Sequence, residues 1–237
     1  MSSSPASWPA PPHAFQPGET RRDSAVPQAS SVWGGLLRRY KRERRRRKVG
    51  RAYDMALEIG RLIPKGSAVL DVGCGNGFIA HHLGAILGKP VVGIDVMPET
   101  SATIDYRRYD GRRFPVANSS IDAVLLCYVL HHARDVQLML NEVSRVLRDD
   151  GLAIIYEDIP RSPADQALCW THSLRWQNRT GRCSFRNELQ WRALFKTLGW
   201  ELVRARSLSR WRNLTHPVAR SLFVLRLPRP AALISAD

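Results

Sequence analysis

Asp71 and three glycines, at 73, 75 and 77, stand in the run Val69-Leu-Asp-Val-Gly-Cys-Gly-Asn-Gly77, and a second carboxylate, Asp95, follows 24 residues after the first. Glycines at alternate positions let a backbone turn tightly and approach a ligand with no Cβ in the way. A carboxylate leading into such a loop can accept hydrogen bonds from loop N–H groups or from a ligand's ammonium. A second carboxylate, ending the next strand, can take both hydroxyls of a ribose, as in dinucleotide-binding folds. The chemistry on offer is the holding of a nucleoside-bearing ligand. A nicotinamide dinucleotide fits poorly. Its loop is G-x-G-x-x-G, whereas Phe78 follows Gly77 here, so the third glycine comes one residue early. No phosphate-loop lysine pattern is present.

Further along stand two histidines, His131 and His132, and two carboxylates, Glu157 and Asp158. Imidazole titrates near neutrality, so one histidine is a candidate general base and its neighbour a structural group. Neighbours on a strand point to opposite faces, so one of the two carboxylates faces the site, and Asp158 is the choice. The catalytic candidates are therefore His131, His132 and Asp158; packing of the histidines against the following helix is the competing reading. Within residues 168–183, Trp170, His172, Arg175, Trp176 and Arg179 can make an aromatic and cationic substrate pocket, against the alternative of a packed helix with surface arginines. Cys74 reads as a small filler inside the loop, and no metal cluster is expected. Trp191, Leu194, Phe195 and Leu198, at helical spacing, read as core.

The elements that must position these groups alternate. Apolar residues at 55, 56, 59, 62 and 63 predict a helix over 52–63, stopping before Pro64. Residues 68–72 are a short apolar run entering the glycine loop, 78–87 a helix, 91–96 a second strand and 104–110 a weaker third. Residues 121–128 are almost wholly apolar, as a strand buried on both faces should be. A helix over 136–147 and a strand over 152–159 follow. Strands alternating with helices imply βαβ units and a parallel sheet, with a ligand at the carboxyl ends of the strands where strand order reverses. Ser162, Pro163 and Asp165 mark a helix start. Asn187–Leu198 fits another helix, closed by Gly199. Residues 200–208 and 219–227 read as two late strands able to pair antiparallel at the sheet edge, for seven strands in all.

D-x-G-x-G-x-G resembles motif I of the class I S-adenosylmethionine methyltransferases. Residues 66–160 resemble the same family in its type 11 branch, which includes the ubiquinone/menaquinone C-methyltransferase type. Tyr109-Asp110-Gly111 with Phe114-Pro115 resembles the segment whose acidic residue faces the adenine amino group. Residues 120–124 resemble the entry to the fourth strand, and Val129–His132 its exit. Residues 141–151 resemble the helix and turn before strand five, with Asp149-Asp150 in place of the commoner Pro-Gly. The resemblance implies a doubly wound, seven-stranded, mostly parallel Rossmann-like α/β sheet with an antiparallel last strand. It also implies S-adenosylmethionine as methyl donor, held by Asp71, Gly73, Cys74, Gly75, Asn76, Gly77, Asp95, Val96, Asp110, Gly111 and Tyr128. One departure stands out. About eight residues, Pro98 among them, separate Asp95 from Ile104, so the usual helix between strands two and three must be shortened or lost.

The net charge of +15 is unevenly placed: +9 over residues 1–51, −4 over 52–160 and +11 over 161–229. The basic flanks favour anionic partners, either a membrane surface or nucleic acid. Residues 1–36, with many prolines and serines, are expected to be a disordered tail, and 37–51 a basic segment. A domain over 52–237 would then divide into a cofactor half (52–160) and a substrate side (161–237). The four cysteines show no C-x-x-C spacing, which speaks against a zinc box or disulfide framework and fits a cytoplasmic protein. No apolar run is long enough for a membrane span, and no secretory signal is evident. The expected acceptor is a small or lipid-like molecule. A nucleic-acid methyltransferase is the rival suggested by the basic flanks. It lacks an N-P-P-[YF]-type motif or a Pro-Cys pair after strand four, where this chain has Cys127-Tyr128. A non-catalytic binding module is the second rival.

Overall fold

The computed structural model describes residues 29–227. Seven strands form one sheet in the order β3-β2-β1-β4-β5-β7-β6. They are β1 (Val69–Val72), β2 (Val92–Asp95), β3 (Asp105–Arg108), β4 (Ile121–Cys127), β5 (Leu147–Asp158), β6 (Glu201–Leu208) and β7 (Arg220–Arg226). The first five pair in parallel, while β7 runs antiparallel between β5 and β6. This is the doubly wound class expected, including the antiparallel closing strand.

Side-chain alternation divides the core into two layers. On one face Leu70, Val72, Val124, Leu126, Ile155, Phe223 and Leu225 pack with Leu140, Val143, Trp191 and Phe195. These last residues come from α3 (Val136–Val146) and α5 (Glu188–Thr197). On the other face Val69, Leu125, Ile154, Tyr156, Leu222 and Val224 meet Ala56, Ile59, Leu83 and Leu87. Those helical residues belong to α1 (Ala29–Gly60) and α2 (Phe78–Leu87). Trp191 and Phe195 are the core residues expected, their rings stacked at 5.7 Å. The edge strands β3 and β6 are largely exposed and carry charges, Arg107 and Arg108 on one, Arg204 and Arg206 on the other. Charged edges discourage pairing with a second sheet.

Two boundaries differ markedly from expectation. The first helix begins at Ala29, not at residue 52, and includes the whole basic run. Arginine and lysine are good helix formers, and an apolar face was not needed to extend it. Residues 29–36 of the expected tail are therefore helical, and residues 1–28 lie outside the described residues. The chain divides into two units, Met1–Arg44 and Arg45–Asp237, of which the second carries the sheet. Second, β5 starts at Leu147 rather than 152, its pairing with β4 shifting register between Ile121 and Ala123. Asp150 there adopts φ 67°, a left-handed conformation that aspartate tolerates, so the expected turn becomes an irregularity within a longer strand. In agreement with expectation, no helix joins β2 to β3, as the short spacing required.

Beyond β5 the chain leaves the sheet through α4 (Pro163–Thr180) and α5, and returns by β6 and β7. Ser162 and Asp165 form a reciprocal capping box at the start of α4, and Asn187 and Gln190 do the same for α5. The ends of this excursion are pinned together where Ile159 N–H donates to Ala219 O at 2.7 Å.

Candidate functional site

The glycine loop joins β1 to α2 at the carboxyl edge of the sheet. Gly73, Gly75 and Gly77 all have positive φ, 67°, 55° and 73°. At Gly73 a Cβ would sit 2.4 Å from Val129 Cγ2, so glycine is required by contact as well as by conformation. At Gly75 nothing lies within 4 Å of where a Cβ would be, leaving open space above the loop. Gly75 N–H donates to Asp95 Oδ2 at 2.8 Å, and Met97 N–H to Asp95 Oδ1 at 3.0 Å. Asp95 thus ends β2 locked in place, and each oxygen keeps a lone pair for a further donor. Cys74 fills a gap against Gly93, and burial, then Asp71 and Asp95, push its thiol far up, which removes it as a nucleophile. Asn76 donates to Ser101 Oγ at 2.8 Å and accepts from Lys48 of α1.

Asp71 lies beneath this loop, 1% exposed, with neither carboxylate oxygen at hydrogen-bond geometry to a described group. Burial first and Asp95 second push it up to about 7, and only a weak dipole from Ala80 N–H opposes them. A buried carboxylate left in this state is stabilised by any cation that docks above it. That demand, with the open space at Gly75 and the lone pairs of Asp95, fits a ligand bearing both an ammonium and a ribose.

Asp110 and Gly111 follow β3. Asp110 Oδ1 accepts from Arg112 and Arg113 N–H at 2.8 and 3.0 Å, which lowers its pKa. Its carboxylate therefore organises the turn, and Gly111 takes φ 79° against Val96. Tyr128 ends β4 with φ 61°, an unusual conformation for a bulky residue, its ring beneath the Arg220 guanidinium at 5.6 Å.

Just beyond β4 a 3-10 turn (Leu130–His132) carries both candidate histidines. His131 is 1% exposed, and its Nδ1 donates to Glu157 Oε2 at 2.6 Å. Glu157 is held in turn by Leu130 N–H at 2.8 Å. Burial disfavours the His131 charge, but Glu157 outweighs it and raises the pKa. Phe185 stacks on this ring at 4.6 Å. His132 Nδ1 lies 3.0 Å from Thr180 Oγ1 and 3.3 Å from Cys183 Sγ, and its Nε2 faces His172 Nε2 at 3.2 Å. Burial, then neighbouring histidines, push His132 down to about 3 and His172 to about 4, so both rings are neutral near pH 7.

Glu157, rather than Asp158, is thus the β5 carboxylate in contact with the first histidine. Asp158 sits 2.9 Å from Arg220 Nε and 3.2 Å from His216 Nε2. Burial opposes its charge, but His216 and Arg220 prevail and hold it below the usual carboxylate range. Its charge acts directly on His131, His132 and His172, and its partner His216 has its ring 5.1 Å from that of His172.

The expected pocket along α4 is split by helix geometry. Asp165, Cys169, His172, Trp176 and Thr180 share the inward face, spaced by four, three, four and four residues. His172 and Trp176 join His132, the Trp176 ring 5.2 Å from it. Arg179 lies over Trp176 at 5.5 Å, while Arg175 points outward and is exposed. Trp170, 62% exposed, lines an adjoining cleft of about 410 Å³, which shares Cys183 and Phe185 with the histidine cluster. Sequence reasoning missed Thr180, Cys183, Phe185 and His216. The inward stripe of α4 would have shown Thr180; the others depend on the return of the chain over the sheet.

Among curated proteins, the ubiquinone biosynthesis O-methyltransferase of Azorhizobium caulinodans is 30% identical over 102 residues, 38% of this chain and 40% of that protein. The enzyme of the same name from Cereibacter sphaeroides is 30% identical over 115 residues, 44% and 46% of the two chains. The chain thus spans less than half the length of the curated relatives it matches. Among solved structures, a chain from the complex of the Haloferax volcanii Trm112 methyltransferase activator with its methyltransferase superposes with a TM-score of 0.61 at 20% identity, covering 86% of this chain and 100% of that one. That likeness is one of fold. The family model described as a methyltransferase domain matches residues 40–205, most of the chain and the site just described apart from His216 and Arg220, and the chain belongs to that methyltransferase family.

Proposed function

We propose that this chain is an S-adenosylmethionine-dependent methyltransferase acting on a small or lipid-like acceptor at an oxygen atom. The observation that carries the cofactor reading is Asp71, a fully buried carboxylate without a hydrogen-bond partner, beneath an open glycine loop and beside Asp95. Asp71 would balance the cofactor's positive charge, Asp95 would accept the ribose hydroxyls, and the turn at Asp110 and Gly111, with Val96, would border the base. When bound, the cofactor supplies a methyl group on a positively charged sulfur, and that C–S bond breaks as an acceptor lone pair takes the carbon.

The protein's own contribution is placement, since a nucleophile held about 3 Å from the methyl carbon and in line with it needs little else. The acceptor side is the cluster of His131, His132 and His172, which begins two residues after Val129, the residue packed against Gly73. Trp176 and Phe185 wall it and favour an organic ring or chain. Glu157 and Asp158 act as positioning residues for this cluster. The oxygen acceptor is supported by the relatives named for O-methylation.

Calorimetric titration with S-adenosylmethionine tests the reading. Asp95→Ala is expected to weaken binding about 10- to 100-fold, the loss of roughly 1–3 kcal/mol of hydrogen bonds to a charged group. Equal affinity in variant and parent, or binding of a nicotinamide dinucleotide in place of S-adenosylmethionine, would overturn it.

A further inference from the structure

We infer that His131, His132 and His172 form a binding site for one divalent transition-metal ion, of which zinc is the best fit, with an open position for the acceptor oxygen. One ring nitrogen from each of the three lies within 4.8 Å of one from each of the others. His132 Nε2 and His172 Nε2 are already 3.2 Å apart. Two ligands on a tetrahedral ion with bonds of about 2.0–2.1 Å are about 3.3–3.4 Å apart, so this edge of the site is at bonding size without rearrangement.

The outward nitrogens are oriented by their partners. Glu157 Oε2 accepts from His131 Nδ1, so Nε2 is the ring nitrogen left to face a ligand, and an ion bound there takes the place of any Nε2 proton. That Nε2 is buried and without a hydrogen-bond partner, the state expected of a nitrogen made for a ligand. The Thr180 hydroxyl donates to Trp176 O at 3.5 Å, so its oxygen accepts from His132 Nδ1 and turns the His132 Nε2 lone pair toward His172. Carboxylate and hydroxyl partners behind metal-bound histidines hold the rings in orientation and raise their basicity. His172 is backed by the His216 ring, itself beside Asp158. Phe185 and Trp176 exclude water on two sides.

Three imidazoles, with no fourth protein ligand among the described residues, make the arrangement of a catalytic ion, whose remaining position takes water or substrate. Cys183 Sγ stands on the Nδ1 side of His132, away from the convergent nitrogens. Resting on the methyltransferase reading, the ion would hold the acceptor hydroxyl as its oxyanion, the proton passing to water as the acceptor binds. This would supply the activation otherwise asked of a general base.

The test uses the full chain stripped of metal with a chelator and titrated with Zn²⁺ and with Co²⁺. Expected are one equivalent of Zn²⁺ bound per chain and visible absorption of four-coordinate Co²⁺. His172→Ala, on the half-buried side of the cluster, should lose at least tenfold in Zn²⁺ affinity. Thr180→Val, which leaves all three ligands in place, should lose about 10- to 100-fold. His81→Ala, outside the cluster, should bind as the parent does. Thermal melts confirm that each variant is folded. A parent chain that binds no Zn²⁺ at micromolar concentration, or a folded His172→Ala variant that binds it equally well, overturns the site. S-adenosylmethionine titration of the same samples separates the two readings. Zn²⁺ binding without S-adenosylmethionine binding supports the metal site and overturns the methyltransferase reading; the reverse result overturns the metal site alone.

Discussion

At the scale of single residues, Asp71 makes the strongest statement about this molecule. Its native pKa, near 7, stands above the value of about 3.9 expected in the unfolded chain. Between those values the native state holds a proton that the unfolded state has lost. The stability contributed is fully present below about pH 4 and is lost as pH rises through 7. Melting temperature should therefore fall from pH 5 to pH 8, and Asp71→Asn, neutral and of the same shape, should flatten that fall. Parallel melts of both proteins across that range check it; equal slopes would mean that Asp71 does not titrate there. The same residue shows what sequence can and cannot display. The glycine spacing placed Asp71 and Asp95 beside the loop between β1 and α2, where the structure has them, because that geometry is local. The choice of Asp158 over Glu157 rested on strand alternation alone. Which of two neighbours meets a histidine from another strand depends on the β4–β5 register, which no single strand carries. His172 was assigned to a pocket, but its meeting with His132 needs α4 to fold back across forty residues of sequence.

At the scale of elements, local signals were reliable wherever an end was chemically marked. Ser162, Pro163 and Asp165 placed the start of α4, and Asn187 that of α5. The basic part of α1 has helix propensity without apolar periodicity, so it does not stand out as a helix in the sequence. The capping of α4 matters to the site because this helix presents His172, Trp176 and Thr180 on one face. Ser162→Ala removes the oxygen that accepts from Asp165 N–H at 3.1 Å. It should destabilise the protein by about 1 kcal/mol, as losses of such caps do. Urea denaturation of variant and parent measures it; a midpoint shift with unchanged slope is the expected form. An unchanged midpoint would mean that the first turn of α4 frays in the native state.

At the scale of the whole molecule, the charge map separates a mildly acidic stretch, residues 52–160, from basic flanks. From Leu36 to Lys48 every residue is exposed, and between residues 34 and 227 the first buried apolar residue is Ala52. A chain starting at Leu37 should therefore melt cooperatively and bind S-adenosylmethionine like the full protein, as differential scanning calorimetry and titration would show. Loss of the cooperative transition would place an essential contact in the removed residues.

The hydrogen bond between Ile159 and Ala219 has a consequence for how such a chain can change. It makes residues 160–218 a loop with pinned ends: departure and return are one bond apart, while α4, α5 and β6 lie within it. Lengthening a closed loop is inexpensive, about 0.6 kcal/mol for each doubling. Segments of different length and composition can thus be exchanged between those two points while β1, β2 and the glycine loop keep their register. In that sense residues 160–218 are a replaceable cassette, and β1, β2 and the glycine loop are the fixed frame into which it is set.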